Sequence, residues 1–577
     1  MLYGKGEFEN PTTYSNTSTL PMIAGSSNIP AAKLPAGGYV NPQTNRSWFS
    51  GNAKNGSHGL RVDFDYKLGD HDLAVGIDNM HYAAKNQGPS QYNPFDPSVN
   101  YFWSYRANGT VRKYSIGWAT SMSTDQKAYY LQDTWQVSSN VLLKVGLRND
   151  HFINYNDVGQ AFVDEKNQWE PRIGASWDVN GDSSFKIYGN VGRYYLALPE
   201  NAAERAANTS TYIYQIYNYT SVDATGQPQG LTSPDAGKLH SPDGEFGLPK
   251  DPEQVTARNL KAEYMDEFIA GFDKKLNENW TYGAKAMWRD LKTAIDDECS
   301  PGQIATKMAA MGLNSNDYSN SLYGAAYCRL INPGETNTML IRANAGSGQS
   351  DKLVSMTQQD WGYTQGVKRK VGSLNLYLEH PFDGKWQARV DYTYTRGFGN
   401  TEGQVRSDFG QSDVSKTEDW DAWQLMDGQN GELFNVRKHQ LRIRGAYQFT
   451  PEWLVSGTLL AQSGVPQECL GYYGPNGNED PVGYGSNYHW CAGKRITPGF
   501  KHTPWTKEVN LGVHYTPAFA DHKLGINLDV FNAFNQQKAT QTDPTQDADV
   551  GFISATYGMP LYYQTPRTVR LSVTYDY

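Results

Sequence analysis

The lengths of the connections between strand-like segments constrain this chain more than any other feature. Apolar and polar residues alternate along runs of about ten residues, and every second connection between these runs is a turn of two to five residues. The intervening connections are long and span residues 84–123, 197–258, 295–365, 399–434, 466–502 and 537–562, with only 155–167 shorter. Compact soluble domains rarely contain many unstructured loops longer than about 15 residues. Short turns at one end and long loops at the other are typical of a transmembrane β-barrel.

The segment from Lys127 to Phe152 shows the strand pattern most clearly. Side chains of an extended chain point alternately to opposite faces. In the second arm, one face carries Val141, Leu143, Val145 and Leu147, and the other carries Lys144, Gly146, Arg148 and Asp150. Similar pairs of segments occupy residues 58–82, 170–195, 263–290, 372–399, 438–462 and 507–534. Together with a last strand at the end of the chain, they predict about fifteen long antiparallel strands.

The composition excludes several other classes of protein. Hydrophobic residues make up 38% of the chain and the mean hydropathy is -0.66, but aromatic residues reach 13%. Disordered chains are poor in aromatic residues, and a helical membrane protein needs runs of about 18 apolar residues, which this sequence lacks. The net charge of -9 comes without a basic cluster, so we expect no nucleic-acid partner.

The two faces of the predicted strands suit two different surroundings. Charged side chains on the polar face are expected to point into a wet barrel lumen, where they pair with one another or line a substrate path. These predicted luminal residues are Arg148, Arg172, Lys186, Lys285, Arg389, Arg442 and Arg444. Five tryptophans lie near the tight turns, at positions 135, 177, 280, 386 and 453. Aromatic rings concentrate at membrane–water interfaces, so these tryptophans favour an interfacial girdle over the core of a soluble β-sandwich.

The four cysteines pair naturally as sequence neighbours, Cys299 with Cys328 and Cys469 with Cys491. Each pair brackets a stretch rich in Gly, Asn, Pro and Tyr that is typical of a loop. A metal site is the alternative, but neither a CxxC motif nor a paired histidine spacing accompanies these residues. Two disulfide bonds in long loops predict an oxidising compartment outside the cytoplasm.

One long loop contains the tract TYIYQIYNYT at residues 211–220, with the candidate ligand contacts Tyr212, Tyr214, Tyr217 and Tyr219. Exposed tyrosine offers a large contact area with a polar tip, which suits ligand or sugar binding. A loop hairpin that packs on itself explains the same pattern equally well. The sequence contains no GxSxG, HExxH or phosphate-binding loop motif, so we expect neither enzymatic activity, nor a cofactor, nor a metal site.

Several segments resemble the barrels of TonB-dependent outer-membrane receptors, and the Oar-like group among them most of all. These segments are YLQDTWQVSSNVLLKVGLRND, EPRIGASWDVNGDSSFKIYGNVGRYY, AEYMDEFIAGFDKKLNENWTYGAKAMWRD and NLDVFNAFNQQ. The last strand, TVRLSVTYDY, resembles the terminal strand that the barrel-assembly machinery recognises in this family. The matching residues of this signal are Leu571, Val573, Tyr575 and Tyr577.

The resemblance implies a multi-pass β-barrel in the outer membrane of a Gram-negative bacterium, with outer-membrane lipid around it. Residues 1–57 are expected to form an extracellular remnant of a truncated barrel, and residues 58–577 its C-terminal portion, since such barrels have about 22 strands. The intact family member takes up an extracellular solute and contacts the TonB complex through an N-terminal plug, which this sequence lacks. Some Oar-like members serve adhesion or secretion instead. The alternative from another class is a secreted, soluble all-β adhesin or carbohydrate-binding protein that does not transport.

Overall fold

The fold is dominated by sixteen long antiparallel strands. The computed structural model describes residues 2–9, 16–49, 52–90, 93–324, 326–403 and 417–577. The strands are β1 (Leu2–Glu9), β2 (Lys54–Leu68), β3 (His71–Gln87), β4 (Thr120–Ser138), β5 (Val141–Tyr155), β6 (Ala161–Asp178), β7 (Phe185–Leu196), β8 (Glu263–Lys275), β9 (Thr281–Thr293), β10 (Arg369–His380), β11 (Trp386–Gly399), β12 (His439–Thr450), β13 (Trp453–Gln462), β14 (Thr506–Tyr515), β15 (Leu524–Phe531) and β16 (Thr568–Tyr575). With the two-residue strand Gly431–Glu432, they form one 17-stranded sheet.

Each long strand pairs with the next one along the chain, as in an up-and-down barrel. The turn between β2 and β3 contains only Gly69 and Asp70, and Leu68 lies opposite His71. Gly69 has a φ of 60°, a left-handed conformation that glycine adopts without a steric penalty. Within the described residues, β1 pairs only with β2 and β16 only with β15.

The predicted strands are therefore present, together with one strand that the sequence pattern did not reveal. Strand β1 has the sequence LYGKGEFE, in which two glycines and three charged residues leave no continuous apolar face. Several strands are also longer than the pattern indicated. Strand β4 has 19 residues, about twice the 9–11 residues that a membrane-crossing strand needs.

The two faces of the sheet have opposite character. Phe64, Val75, Leu131 and Leu147 lie directly opposite one another on four neighbouring strands, and each is at least 44% exposed. The adjacent row on the other face contains Asp63, Gly76, Tyr130, Arg148 and Glu170. A soluble sheet would bury its apolar face, whereas a membrane barrel turns this face toward lipid. The outer face is thus apolar and the luminal face polar.

The long connections carry their own secondary structure. Among the described residues, the short helices are α1 (Ala202–Ala206), α2 (Pro252–Val255), α3 (Pro301–Ala310), α4 (Ser319–Tyr323), α5 (Gln358–Trp361) and α6 (Trp423–Met426). The 3₁₀ turns Ser26–Asn28, Ala31–Lys33, Ser315–Tyr318 and Asp419–Asp421 also lie in long connections, whereas Ala518–Ala520 lies in the short turn between β14 and β15. In the described part of the chain, no helix has both the length and the apolar character needed to span a membrane.

The remaining strands are short and belong almost entirely to the loops. They are Ile23–Ala24, Trp48–Phe49, Pro89–Ser90, Phe102–Tyr105, Val111–Gly117, Thr211–Tyr217, Ser221–Val222, Pro228–Gln229, Asp296–Glu298, Arg329–Ile331, Asn337–Ile341, Lys352–Met356, Pro466–Gln467, Trp490–Cys491, Lys494–Arg495, Lys501–His502, Ala539–Thr542, Asp547–Asp549, Phe552–Ile553 and Pro560–Tyr563. The hairpin Phe102–Tyr105/Val111–Gly117 turns at Gly109 (φ 80°), where the sequence contains Asn-Gly.

Most of the buried hydrophobic residues in the described clusters lie in the loops, and a few, such as Ala84, Met122 and Phe162, lie near the ends of barrel strands. We call the four connections that follow β7, β9, β11 and β13 the loop cap. One buried cluster in it includes Met308, Trp361 and Trp420, all at most 1% exposed, and Tyr363, whose ring lies 5.0 Å from that of Trp420. Full burial of such side chains stabilises a fold by roughly 1.5–3 kcal/mol each. The loop cap therefore has the buried core of a folded domain.

Candidate functional site

The loop cap encloses a cavity of about 980 Å³, which also reaches the connection between β1 and β2. This volume is at the upper end of the range for small-molecule binding sites. Half of the lining residues are charged or aromatic. Among the described residues, the charged ones are Arg46, Arg205, Asp243, Glu245, Lys250, Asp297, Glu418 and Asp421, and the aromatic ones are Tyr212, Tyr323, Tyr327 and Tyr484.

One wall of the cavity is a compact cluster of buried charges. Arg205 Nε donates to Glu245 Oε1 over 3.1 Å, and Arg205 also pairs with Asp243. Lys250 donates to the backbone carbonyl oxygen of Arg205. Trp118 Nε1 donates to Glu245 Oε2 over 3.1 Å, and its ring lies 4.6 Å from the Arg205 guanidinium. The cluster fixes Arg205 in one orientation, because its guanidinium is held both in its plane and on its face.

Burial and neighbouring charges shift the pKa values of the ionisable side chains in this wall. Burial and the neighbouring Glu245 carboxylate raise the pKa of Asp243 to about 6. Burial also acts to raise the pKa of Glu245, but Arg205 and Lys250 outweigh it and hold this pKa below its ordinary value. Burial lowers the pKa of Lys250. Near neutral pH the wall is thus a network of ion pairs, because Arg205 compensates the charge of Glu245.

A second wall of the cavity is held by a disulfide bond. Strand Asp296–Glu298 pairs with Arg329–Ile331, and the Cys299–Cys328 bond joins the two segments where they meet the cavity. The second predicted bond, Cys469–Cys491, is also present, so both cysteine pairings are confirmed. Asp297 lies close to both sulfur atoms of the first bond. Those sulfur atoms are bonded to each other and are therefore not thiolate ligands for a metal.

Further carboxylates on this wall are held by polar neighbours. Asn487 Nδ2 donates to Glu418 Oε2 over 3.0 Å, and the Tyr484 hydroxyl donates to Asp421. Burial raises the pKa of Glu298 to about 8 and lowers the pKa of the nearby Arg329 to about 10. This wall therefore presents hydrogen-bond acceptors next to the tyrosine rings, an arrangement that suits a polar ligand with donor groups.

The four candidate tyrosines lie on strand Thr211–Tyr217 and just after it, beside strand Val111–Gly117. Tyr212 lines the cavity. Tyr214 stacks on His240 at 5.2 Å, Tyr217 contacts Trp103 edge-on at 6.0 Å, and Tyr219 is 4% exposed. All four tyrosines thus pack on neighbouring rings, and Tyr212 in addition lines the cavity. A role of these tyrosines in ligand binding stays a prediction.

The predicted luminal cations fall into two groups. Four of them pair with carboxylates on the same strand or on a strand one or two positions away: Arg148 with Asp78 and Asp150, Arg172 with Glu170, Lys186 with Asp273, and Arg389 with Glu379 and Asp391. The other three, Lys285, Arg442 and Arg444, have no ion pair with any described residue. Register places all seven on the polar face of the sheet. Whether any of them contacts a solute stays a prediction.

The terminal strand contributes an apolar outer face. Leu571 lies opposite Leu528, Val573 opposite Ile526 and Tyr575 opposite Leu524, and the three residues are 58–67% exposed. Tyr577 follows the strand and is fully exposed. This geometry fits a strand that inserts beside lipid, and recognition by the assembly machinery stays a prediction.

Sequence reasoning missed the charged wall of the cavity. Arg205 and Glu245 are separated by 40 residues within one long loop, and neither belongs to a periodic segment or a known motif. The high density of charged residues in that loop is the only available signal, and solvated loops show it as well. Their contact depends on the packing of the loop cap.

Comparisons with known proteins agree with one another. Residues 3–326 match the family described as TonB dependent receptor-like, beta-barrel. The TonB-dependent transporter Oar of Myxococcus xanthus is 24% identical over 572 residues, which cover 87% of this chain and 47% of that protein. This chain therefore spans about half the length of that relative.

Two solved structures are also similar. The outer membrane transporter YddB from Escherichia coli has a TM-score of 0.48 at 15% identity, covering 91% of this chain and 55% of that one. The FrpB iron transporter from Neisseria meningitidis has a TM-score of 0.48 at 12% identity, covering 91% of this chain and 56% of that one.

Proposed function

Because the chain belongs to the TonB-dependent receptor β-barrel family, we propose that it forms the wall and the ligand-contacting loops of an energised importer. It is a β-barrel protein of the outer membrane of a Gram-negative bacterium. The intact protein would bind a solute outside the cell, and the TonB complex would supply the energy for its passage through the lumen. The TonB contact would lie in an N-terminal plug and not in the barrel wall.

The single observation that supports this function most strongly is the opposite character of the two sheet faces. Leu131 and Leu147 belong to an exposed apolar row, whereas Tyr130 and Arg148 belong to a polar row on the other side of the same strands. Exposed apolar rows of this extent are stable only against lipid or a partner surface. A polar interior next to them provides a hydrated route for a solute.

The cavity in the loop cap is the proposed site of solute capture. Its Tyr212, Tyr327 and Tyr484 rings offer stacking surfaces, and its buried carboxylates offer hydrogen-bond acceptors. Fixed polar groups recognise a ligand with little loss of entropy, because they are already oriented before binding. We propose that the site binds and releases its ligand without covalent chemistry, as expected of a receptor.

A soluble adhesin is not favoured. Such a protein would have to keep the outer row of Phe64, Val75, Leu131 and Leu147 in water. Soluble proteins rarely expose apolar patches of this size to water. Fractionation separates the two functions. An importer barrel is released from membranes only by detergent and migrates faster on a gel before heating than after it, whereas a soluble adhesin appears in the aqueous fraction.

Transport itself is tested by growth. Cells that lack the gene encoding this chain are compared with complemented cells while single candidate solutes limit growth. We expect one solute to support growth only in complemented cells, and deletion of the TonB gene to abolish that difference. A difference that persists without TonB would contradict energised import and would favour adhesion or secretion.

A further inference from the structure

A second depression lies in the luminal wall, away from the loop cap. It has a volume of about 370 Å³ and spans strands β4 to β7, and Arg61 of β2 also lines it. Its floor contains Gly146 and Gly174, which face the lumen in neighbouring strands. A Cβ atom added to Gly146 would first meet a backbone oxygen at 3.7 Å, and one added to Gly174 would first meet Asn190 Cβ at 3.5 Å. The depression exists because two side chains are missing from an otherwise continuous polar surface.

Positive groups surround this depression. Arg61, Lys144, Arg148 and Arg172 line it, and no carboxylate is among the described residues that do so. Register explains the arrangement, because Lys144 lies directly opposite Gly174, and Arg172 directly opposite Gly146. Neutral hydrogen-bonding side chains also line it, namely those of Tyr130, Gln132, Asn190 and Tyr194, and the remaining lining residues are the two glycines and the apolar Leu131, Val145, Leu147, Ile173 and Val191.

The three arginines are held in place by carboxylates that lie outside the depression. Arg61 Nε donates to Asp63 over 3.0 Å, and Arg172 donates to Glu170. Arg148 donates from Nε and Nη2 to Asp150 over 2.8 and 2.9 Å, and from Nη1 to Asp78 over 3.1 Å. A guanidinium has five N–H donors, so each arginine keeps donors for a further acceptor.

Lys144 differs from the arginines. It is exposed, and it forms no ion pair with a described residue. Its ammonium group is therefore available to an incoming anion without the breakage of an existing pair. Charge-assisted hydrogen bonds from arginine and lysine to a carboxylate or phosphate are about twice as strong as those between neutral groups.

We propose that this depression binds a small carboxylate- or phosphate-bearing solute on its way through the lumen. This proposal rests on the proposed function, since a luminal site matters only to a molecule that crosses the barrel. In this site the arginine N–H groups donate hydrogen bonds to two oxygen atoms of the anion, and the Lys144 ammonium group attracts its negative charge. Gly146 has no side chain, so the anion fits above it. A neutral solute of the same shape is excluded, because it cannot replace the water around these cations.

Calorimetric titration of the purified chain in detergent tests the proposal. The probes are succinate and inorganic phosphate, with succinamide as the neutral analogue. We expect saturable binding of at least one anion, no binding of succinamide, and an affinity that falls as sodium chloride is raised. Lys144→Gln should weaken binding about tenfold, because it removes one charge-assisted contact. Gly146→Leu should abolish binding, because it fills the depression.

Lys285→Gln is the matched control, because Lys285 is a luminal lysine without an ion pair among the described residues and does not line the depression. It should leave anion affinity unchanged. All variants are first checked for the heat-dependent gel shift of a folded barrel. Equal binding by Gly146→Leu and wild type would overturn the proposal, as would binding of neither anion. If the purified chain binds an anion but the growth test shows no TonB-dependent uptake, the result would instead count against the proposed function.

Discussion

Arg205 Nε lies 3.1 Å from Glu245 Oε1 in the wall of the cavity, although 40 residues separate the two in sequence. The carboxylate side chain is only 4% exposed, so its charge depends on the arginine. Removal of one partner of a buried ion pair costs about 3–5 kcal/mol, because the other charge is left without compensation. We therefore expect Arg205→Met to lower the thermal stability of the loop cap strongly, measured by protection from a protease at increasing temperature.

Arg258→Met is the matched control for this variant. Arg258 pairs with Glu253 at 2.8 Å, but both side chains are about half exposed. Exposed pairs contribute about 0–1 kcal/mol, so this variant should resemble wild type. Equal protease sensitivity of the two variants would show that the buried pair does not hold the loop cap together.

The stability of the loop cap should fall as pH rises. Burial raises the pKa of Glu298 to about 8 from an ordinary value of 4.5, so the folded state binds this proton more tightly than the unfolded state does. The stabilisation is complete below pH 4.5 and is lost as pH rises toward 8. Protease cleavage in the connection between β9 and β10 should therefore accelerate across this window. Glu298→Gln should flatten the dependence, and a variant that keeps the full slope would point to another titrating group.

Reduction should open the cavity and leave the barrel intact. The Cys299–Cys328 bond closes a loop with a sequence separation of 29, and loops of this length contribute about 3–4 kcal/mol in the chain-entropy description. The double variant Cys299→Ser/Cys328→Ser should make the loop cap sensitive to protease while the gel shift of the folded barrel remains. Cys469→Ser/Cys491→Ser is the comparison at a sequence separation of 22. Loss of the gel shift in either variant would show that the disulfides support the barrel itself.

The sequence predicts the barrel well because one physical rule acts on every strand. Alternation places Leu131 and Leu147 on the lipid side and Tyr130 and Arg148 on the lumen side, and a tight turn sets the register. Strand β1 cannot be predicted by this rule, because its glycines and charged residues leave no apolar row. Pairing of cysteines by nearest neighbour also succeeds, since each bond closes a single loop.

The packing of the loop cap could not be predicted from the sequence, for a different reason. Trp420 and Tyr363 come from separate connections, and their rings meet only after both loops fold. No periodicity links such residues, because each loop follows its own path over the end of the barrel. The depression at Gly146 is also not visible in the sequence. Strand polarity predicts its cations, but the space between them depends on the register of four strands.

The orientation of the sheet gives a last prediction from two adjacent residues. Leu131 is 58% exposed in the apolar row, whereas Gln132 lies on the opposite, luminal face, directly across from Gly146. An arginine on the lipid side of a barrel costs about 2–4 kcal/mol near the bilayer centre. Leu131→Arg should therefore reduce the amount of barrel that assembles in the outer membrane, measured by the fraction that shows the heat-dependent gel shift. Gln132→Arg should assemble normally, because its side chain remains in water. Normal assembly of Leu131→Arg alongside failure of Gln132→Arg would mean that the sheet faces the other way.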